Sequence, residues 1–490
     1  MKLKIKKLFW YAGRPVVVLS PSLAKKLNVS VNERVCISFK KRKVYAIVDI
    51  FSDIVSDCEI GISREVLNFV PLREKTKVEV YPAESSIVGQ LIKKKMEGQK
   101  LNENEIRMIV EGISQNSLTE TEIAFFISAE KIVGMEKKEI INLVEAMVKT
   151  GNRLNLNKKI VADKHCIGGI AGNRTTPIVV SICACAGLTI PKTSSRAITS
   201  AAGTADTIET IARVDLKKEE ILEVIKKTNA CLAWNGSLNL SPSDDKIIHI
   251  ERILNLDVEP QLIASILSKK IAAGSTHVLI DIPYGSGKIL TLNEAKSLGK
   301  KFIEIGKHFN LKIRTVYTDG RIPIGNGIGP LLEIRDVLSV LQGDGPYDLK
   351  EKSIYLAGEL MDLCGIKNSY YLARQILESG KAYEKFKEII NEQNKKKDFE
   401  ERIRKLKDAK ISRDLLAEKS GIIKSIDNKK INLLCRILGA PETKTAGVYL
   451  HKKFGKVEKG EKIITLYSES EMKLKDALRY FEEFEPIVIR

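Results

Sequence analysis

Three segments of the chain concentrate residue types that can bind an anion and move a proton. The first, residues 163–177, contains Lys164, Thr175 and three glycines between a predicted strand and a predicted helix. Glycine lets a ligand approach the backbone closely, and exposed N–H groups at a helix start suit an oxyanion. Lys164 would add positive charge and Thr175 a hydroxyl group. A glycine-rich turn also occurs in purely structural loops, so this segment needs a second, independent signal.

The second segment, residues 191–209, supplies that signal because hydroxyls and small residues crowd beside Arg196. Small side chains let a ligand lie against the backbone, and hydroxyls replace the water that the ligand loses. An ordinary Ser/Thr-rich loop before a helix has the same composition. Two such segments in one chain favour a phosphate site over two structural loops.

The third segment, residues 257–270, places Asp257 near the start of a predicted helix that carries Ser265 and Lys269 on one face. A carboxylic acid beside a leaving base can protonate it, while a serine and a lysine orient its polar edge. A helix-start carboxylate followed by two solvated residues explains the pattern equally well. His165 is a further candidate for phosphate or proton handling, although a lone histidine is more often structural.

The elements that must position these segments begin with a β-rich domain over residues 1–84. Its short β-rich runs between polar turns predict a small barrel with strands at 16–19, 35–39, 44–50 and 78–81. Over residues 85–158 the apolar period becomes helical, and capping-box spacings occur at Asn102/Glu105 and Thr119/Glu122. We expect a helical domain here, with a later contribution from about 242–272.

Residues 159–410 alternate strand and helix patterns, which predicts an α/β domain with a mainly parallel sheet. Its strands are expected near 160–162, 278–282 and 313–317, and ligands in such sheets bind beyond the carboxyl ends of strands. The highly charged run 385–410 is interpreted as a solvated helix or connector. Residues 411–490, with strands at 447–450 and 462–467, predict a C-terminal α+β domain. The predicted fold class is therefore multidomain α/β.

Composition limits the function classes. The 490 residues include 81 Lys and Arg against 62 Asp and Glu, and the resulting net charge of +19 attracts anions. The same charge also fits the solvated Lys/Glu surface of heat-adapted proteins. The eight cysteines lack the paired spacing of a zinc site, so we expect reduced thiols. With no long apolar run and no secretory pattern, we expect a soluble, cytoplasmic protein.

Two longer motifs run through the first and second segments. Lys164, His165, Gly168 and Gly169 form the pattern K-H-x-x-G-G, and Ser194, Arg196, Gly203 and Thr204 form S-x-R-x-x-x-x-x-G-T. These motifs resemble those of the thymidine/pyrimidine-nucleoside phosphorylase family, and within it the archaeal AMP phosphorylases. Residues 264–270 resemble the family's base-site helix. The resemblance runs from about residue 85 to the C-terminus. It implies a helical domain facing an α/β domain across a cleft that closes during turnover.

Departures from a thymidine phosphorylase favour a nucleoside 5′-monophosphate, especially AMP. Those enzymes have H-T-G-G-T where this chain has Ser-Ala-Ala-Gly-Thr at 200–204. In those enzymes an arginine binds the pyrimidine, and the position that aligns with it here is near Ile250. Arg252 is two residues away and could take its place through a local shift. The β-rich domain before residue 85 is foreign to bacterial thymidine phosphorylases and resembles the AMP phosphorylase arrangement.

The resemblance implies that AMP and phosphate give adenine and ribose 1,5-bisphosphate, with CMP and UMP as further substrates. Phosphate is then a co-substrate, no metal or organic cofactor is needed, and neither a membrane nor a nucleic acid is an expected partner. A homodimer or larger homo-oligomer is expected.

The resemblance also implies roles for individual residues. Asp257 is the implied proton donor, assisted by His165. The implied phosphate ligands are Lys164, Gly169, Thr175, Ser194 and Thr204, and the implied nucleotide ligands are Ser195, Arg196, Ala197, Ile198, Thr199, Ser200, Ser265, Lys269 and Lys288.

Three other functions fit parts of the sequence. The shared motifs also permit pyrimidine-nucleoside phosphorolysis. The net charge permits a nucleic-acid-binding protein, although aromatic residues are only 6% and no recognition module is present. A P-loop is suggested by Gly285-Ser286-Gly287-Lys288, but Ile282 stands where its first glycine belongs and Ile289 replaces its magnesium-binding hydroxyl. The P-loop hypothesis is therefore rejected.

Overall fold

The computed structural model describes residues 1–40, 42–70, 72–83, 87–197, 200–254 and 256–490. The chain folds as two compact units, one formed by Met1–Thr150 with Pro242–Ala264 and the other by Gly151–Ser241 with Ser265–Arg490. Across these ranges, no helix is long and apolar enough to cross a membrane. Two of the implied nucleotide ligands, Ile198 and Thr199, lie outside the described residues.

The first unit begins with a closed six-stranded barrel, which confirms the barrel predicted from the β-rich runs. Its elements are β1 (Lys2–Lys7), β2 (Val16–Leu19), α1 (Pro21–Leu27), β3 (Arg34–Phe39), β4 (Arg42–Ile50), β5 (Glu59–Ile62), α2 (Arg64–Phe69) and β6 (Lys77–Pro82). The strand order around the barrel is β1-β5-β2-β4-β3-β6. Strand β1 was missed because its sequence KLKIKK carries four lysines, although Leu3 and Ile5 alternate into the core.

Four helices follow the barrel in the same unit: α3 (Ile87–Met96), α4 (Glu103–Ser114), α5 (Glu120–Val133) and α6 (Lys137–Lys149). Both predicted capping boxes form, because Asn102 and Glu105, like Thr119 and Glu122, exchange side-chain and backbone hydrogen bonds at the starts of α4 and α5. The helical apolar period expected over residues 85–158 is seen in α4, where Ile106, Ile109, Val110 and Ile113 are buried. A buried ion pair between Lys95 and Glu139, 2.8 Å apart, joins α3 to α6.

The second unit contains two parallel sheets. Its first elements are β7 (Ala162–Cys166), α7 (Thr175–Cys185), β8 (Ile190–Ser194), α8 (Thr204–Ile208), α9 (Lys218–Thr228), β9 (Ala230–Trp234) and α10 (Asn235–Leu238). Strands β8 and β9 pair in parallel. Strand β7 begins at Ala162, where the predicted strand 160–162 ends. The strand continues through polar residues because Asp163 and Lys164 are buried, and Asp163 pairs with Lys192.

Two helices, α11 (Pro242–Leu254) and α12 (Glu259–Ala272), come next, and α11 packs on α4, α5 and α6 in the first unit. The second unit then continues with β10 (His277–Tyr284), α13 (Leu292–His308), β11 (Lys312–Asp319), β12 (Gly327–Ile328) and α14 (Pro330–Gln342). Strands β11, β10 and β7 pair in that order, all in parallel, so their carboxyl ends share one edge. The loops after these strands therefore lie side by side.

The helix expected in residues 385–410 forms, but the expectation that it is solvated is wrong. After α15 (Tyr347–Leu363) and α16 (Ser369–Glu378), the segment includes most of α17 (Lys381–Asn394) and all of α18 (Phe399–Arg404). Helix α17 packs on α7 and α9. Phe386, Ile389 and Ile390 are fully buried and Phe399 almost so, all in the main core of the second unit. Charged residues occupy only the outer face of α17, because its apolar positions recur at helical spacing.

The C-terminal residues form an α+β layer over the same unit. Its elements are β13 (Ile411–Leu416), β14 (Gly421–Ile426), α19 (Asn428–Leu438), β15 (Gly447–Leu450), β16 (Gly455–Val457), β17 (Lys462–Ser468), α20 (Glu471–Phe484) and β18 (Ile487–Ile489). One sheet has the order β12-β15-β17-β13 and the other β16-β14-β18. Because β12 completes the first sheet, the C-terminal layer incorporates a strand from well before residue 411.

Candidate functional site

Two glycine loops meet at the carboxyl edge of the main parallel sheet. Gly168 and Gly169 follow β7 with φ of 89° and 93°, values that other residues rarely adopt. A Cβ on Gly169 would lie 3.3 Å from the amide nitrogen of Lys288, and one on Gly287 would lie 3.0 Å from the carbonyl oxygen of Gly169. The loop after β10, which the sequence suggested as a P-loop, thus packs against the loop after β7.

Lys164 is buried at the base of this edge. Its Nζ donates to Thr175 Oγ1 at 2.8 Å, which joins β7 to the first turn of α7. Burial lowers the pKa of Lys164, whereas Cys166 and then Asp281 oppose that shift. Burial alone would raise the pKa of Asp281, but Lys352 and then Lys164 outweigh it, so the pKa is lowered. The Asp281 carboxylate lies 3.2 Å from the Lys352 ammonium, and the buried Lys164 also favours its charged form.

A second buried charge cluster joins β7 to its neighbours. Asp163 accepts from Lys270 at 2.7 Å and from Lys192 at 3.4 Å, and Lys192 also donates to the carbonyl of Lys164 at 2.8 Å. Burial would raise the pKa of Asp163, but Lys192 and Lys270 outweigh it and lower that pKa. One carboxylate shared by two ammonium groups leaves the second ammonium poorly compensated, and burial lowers the pKa of Lys270 to about 7.

His165 is surrounded by this positive charge. Burial, followed by the charges of Lys270, Lys192, Lys269 and Lys164, lowers its pKa well below the usual value. The imidazole is therefore neutral at pH 7. In the free chain it can donate or accept a hydrogen bond.

Arg174 brings the first and second motifs together, a role that the sequence did not reveal. Its Nη1 donates to Thr204 Oγ1 and its Nη2 to the carbonyl of Ala202, both at 2.8 Å. Its Nε donates to Glu333 Oε2 at 2.6 Å. Thr175, which accepts from Lys164, is the next residue in the chain, so the backbone joins this set of hydrogen bonds to the Lys164–Thr175 contact. Glu333 lies 159 positions away, so no local signal pointed to the pair.

The end of β8 presents two buried hydroxyls. Among the described residues, neither Thr193 Oγ1 nor Ser194 Oγ has a hydrogen-bond partner. Buried hydroxyls are normally paired, so these two oxygens have the capacity to bind a polar ligand. Ser195, the next residue in the chain and the first of the implied nucleotide ligands, is exposed.

The turn after β8 is held by acidic side chains. The backbone N–H groups of Ala197 and Gly203 donate to Asp206 at 2.7 and 2.9 Å. Arg196 pairs with both carboxylate oxygens of Glu209 at 2.6 Å and lies over the Trp234 ring at 4.8 Å. Its guanidinium is therefore already engaged within the chain. The Ser200 hydroxyl donates to the carbonyl of Ala202 at 3.1 Å.

The third motif is divided between the two units. Ser265 and Lys269 lie on α12 in the second unit, where Ser265 is buried and the charge of Lys269 acts on His165. Asp257 belongs to the first unit, two residues before α12, as the helix-start pattern predicted. Its side chain is exposed, and its carbonyl accepts from Lys131 at 2.9 Å. Lys288, in the loop after β10, is also exposed.

The position expected for a pyrimidine-gripping arginine holds an apolar residue. Ile250 is buried on α11. Arg252 is exposed on the same helix, with Nη2 3.4 Å from His249 Nδ1. The helix thus does not bury a guanidinium at either position.

Comparison with known proteins places this fold among glycosyl transferases. The helical bundle domain model of the glycosyl transferase family matches residues 89–151, and its a/b domain model matches 158–383. The pyrimidine nucleoside phosphorylase C-terminal domain model matches 422–487. The solved anthranilate phosphoribosyltransferase from Thermus thermophilus has a similar fold, with a TM-score of 0.52 at 17% identity, over 62% of this chain and 99% of that one.

Full-length relatives make the assignment narrower. The AMP phosphorylase of Pyrococcus furiosus is 43% identical, over 100% of this chain and 98% of its own. The AMP phosphorylase of Thermofilum pendens is 41% identical, over 100% and 95%. The chain therefore belongs to the nucleoside phosphorylase family, in the group that contains these archaeal AMP phosphorylases, which confirms the resemblance seen in its motifs.

Proposed function

We propose that the chain catalyses the phosphorolysis of nucleoside 5′-monophosphates, converting AMP and inorganic phosphate to adenine and ribose 1,5-bisphosphate. CMP and UMP are proposed as further substrates. The observation that carries this proposal is the similarity to AMP phosphorylases over the whole chain, including the N-terminal barrel. The matched glycosyl transferase domains are consistent with transfer of a pentosyl group.

Inorganic phosphate is proposed to bind at the carboxyl edge of the main sheet. The proposed ligands are Lys164, Gly169, Thr175, Ser194 and Thr204. Two of the hydroxyls are already oriented by cations, Thr175 by Lys164 and Thr204 by Arg174, so their oxygens are fixed before a ligand arrives. The unpaired Ser194 hydroxyl would gain the partner that it lacks among the described residues. Such fixed dipoles bind an oxyanion without reorganisation during the reaction.

The nucleotide is proposed to contact the turn after β8 and the helix α12. The proposed ligands are Ser195, Arg196, Ala197, Ile198, Thr199, Ser200, Ser265, Lys269 and Lys288. Because the Arg196 guanidinium is engaged with Glu209, we assign it the role of fixing the shape of this turn in the free chain. Lys269 and Lys288 supply positive charge for the nucleotide phosphate or the polar edge of the base.

The proposed step breaks the C1′–N bond as a phosphate oxygen bonds to C1′. The electron pair of the broken bond goes to adenine, which must gain a proton to leave as a neutral base. Hydrogen phosphate loses one proton when it becomes the new ester, so the reaction balances if Asp257 delivers a proton and regains one. Asp257 is exposed in the free chain, so this role requires the bound nucleotide to desolvate its carboxyl group.

His165 is proposed to assist as a neutral hydrogen-bonding group, because burial and then the surrounding lysines disfavour its charged form. The reaction replaces one nucleophile at C1′ by another and transfers no electrons. Phosphate is therefore its co-substrate, and the chemistry calls for no redox cofactor.

We also propose the domain limits 1–84, 85–158 with about 242–272, 159–410 and 411–490, together with a homodimeric or larger assembly.

The test is a phosphate-dependent assay in which both products are identified by chromatography and mass spectrometry. AMP with phosphate should yield adenine and ribose 1,5-bisphosphate, and omission of phosphate should abolish both. A panel of adenosine, AMP, uridine and UMP then separates the substrate classes. Equal or better kcat/KM for uridine, or for thymidine added to the panel, than for AMP would establish the pyrimidine-nucleoside alternative, which the match at 422–487 also fits.

A non-enzymatic alternative has its own signature. A nucleic-acid-binding protein of this charge would bind polynucleotides in a strongly salt-dependent manner. Such binding without phosphate-dependent release of adenine would overturn the proposed activity.

A further inference from the structure

Two buried asparagines near the start of α19 face the site loops. Asn428 is 1% exposed and Asn432 is 7% exposed. They are one helical turn apart, and Asn432 Nδ2 donates to the carbonyl of Asn428 at 2.9 Å. Burial of two amide side chains is costly unless their hydrogen bonds are made.

Asn428 contacts the loops that follow all three strands of the main sheet. Its Oδ1 accepts from the backbone N–H of Ala171, in the loop after β7, at 3.0 Å. Its Nδ2 donates to Ser286 Oγ, in the loop after β10, at 2.9 Å, and to the carbonyl of Gly320, after β11, at 3.0 Å. Ser286 Oγ itself donates to the Gly320 carbonyl. One side chain thus fixes three loops relative to one another.

Asn432 extends the same contact to the second motif. Its Oδ1 accepts from the backbone N–H of Ala201 at 2.9 Å. The methyl groups of Ala171 and Ala201 are buried in the apolar cluster that also contains Leu434 and Leu438 of α19. Both motif loops are therefore attached to α19 by a polar and an apolar contact.

These side chains are not needed to cap their own helix. Asp427 is the N-cap of α19, and its carboxylate accepts from the backbone N–H groups of Lys429 and Lys430. The contacts of the Asn428 side chain described above all reach atoms outside α19. They serve the loops and not the helix start.

We propose that Asn428 and Asn432 are positioning residues that hold the phosphate- and nucleotide-binding loops in register from the C-terminal layer. This inference rests on the proposed function of those loops. Neither asparagine needs to touch a substrate. Their effect comes through the backbone at Ala171 and Ala201 and through Ser286.

The test compares Asn428→Ala and Asn432→Ala with the matched control Asn394→Ala in the full-length protein. Asn394 is also buried, accepting from the N–H of Arg213 at 2.9 Å and donating to the carbonyl of Ile211 at 3.2 Å. Hydrogen–deuterium exchange is followed in peptides covering 167–174 and 200–204. Binding of inorganic phosphate is measured by calorimetry, and AMP cleavage by steady-state kinetics.

Asn428→Ala should accelerate exchange at 167–174, whereas Asn432→Ala should do so mainly at 200–204. Asn428→Ala should also weaken phosphate binding by about tenfold, because up to three hydrogen bonds are lost. KM for phosphate should rise more than KM for AMP. The control Asn394→Ala should show a comparable decrease in melting temperature. Its hydrogen–deuterium exchange in both loops and its phosphate binding should be unchanged.

Unchanged exchange in both loops would overturn the inference. So would equal kinetic losses in all three variants in proportion to their loss of melting temperature, because that result indicates general destabilisation. Absence of AMP phosphorolysis in the unaltered chain would refute the proposed function, but exchange and phosphate binding would still decide whether the asparagines position the loops.

Discussion

Removal of Arg174 should destabilise the second unit far more than removal of an exposed arginine. Its side chain is 11% exposed and that of Glu333 is 1% exposed, so Arg174→Ala leaves a buried carboxylate without its cation. Breaking a buried pair in this way costs about 3–5 kcal/mol. The change also removes the donors to Thr204 and Ala202, which lie in the second motif.

The stability that Arg174→Ala loses should depend on pH. Burial raises the pKa of Glu333, and Arg174 opposes that rise, so removal of Arg174 raises this pKa further. When the pKa of a carboxyl group is higher in the folded than in the unfolded chain, the protein becomes less stable as the pH rises above the pKa of the unfolded chain. The deficit of Arg174→Ala should therefore be larger at pH 8 than at pH 5. Adding Glu333→Gln should recover part of it.

Urea unfolding at pH 5 and pH 8 measures these free energies. The control is Arg374→Ala, because Arg374 pairs with Glu351 at the same distance of 2.6 Å but the two side chains are 42% and 30% exposed. An exposed pair of this kind contributes about 0–1 kcal/mol. If Arg174→Ala cost no more than the control, or if its deficit were the same at both pH values, the buried pair would not have the proposed role.

Three further predictions concern the proposed site and the pH dependence of stability. Ser194→Ala should raise KM for phosphate, because the loss of one neutral hydrogen bond weakens binding by about 0.5–1.5 kcal/mol. Unchanged phosphate kinetics would contradict the assignment of Ser194 as a phosphate ligand. Asp257→Asn should slow single-turnover phosphorolysis by about 10²–10⁴-fold with AMP binding and melting retained, whereas a near-normal chemical step would remove it as the acid. Burial raises the pKa of Asp336 from 3.8 to about 7, so this group makes stability fall as pH rises from about 4 to 7. Asp336→Asn should reduce that fall in melting curves between pH 4 and pH 8, and parallel pH profiles for both proteins would refute the reasoning.

Local patterns determined much of the fold. Alternating or continuous apolar runs predicted four barrel strands, and side-chain spacing predicted the caps of α4 and α5, because these features depend on neighbours within a few residues. The motifs around Lys164 and Ser194 were recognisable for the same reason. Where charge was dense, as in α17, the sequence was misjudged, since Phe386 and Ile389 are buried at a helical period beneath the charged face.

Only the tertiary structure decided which distant residues complete the site. Arg174 meets Glu333 across 159 positions, and Ala171 meets Asn428 across 257. A buried charge or amide requires a partner, but the requirement does not say which one, because the partner is chosen by how strands and helices pack. The sequence by itself therefore determined many of the elements, the motifs and the family. The packing of α14 and α19 against the loops of the candidate site determined which side chains hold those loops in place.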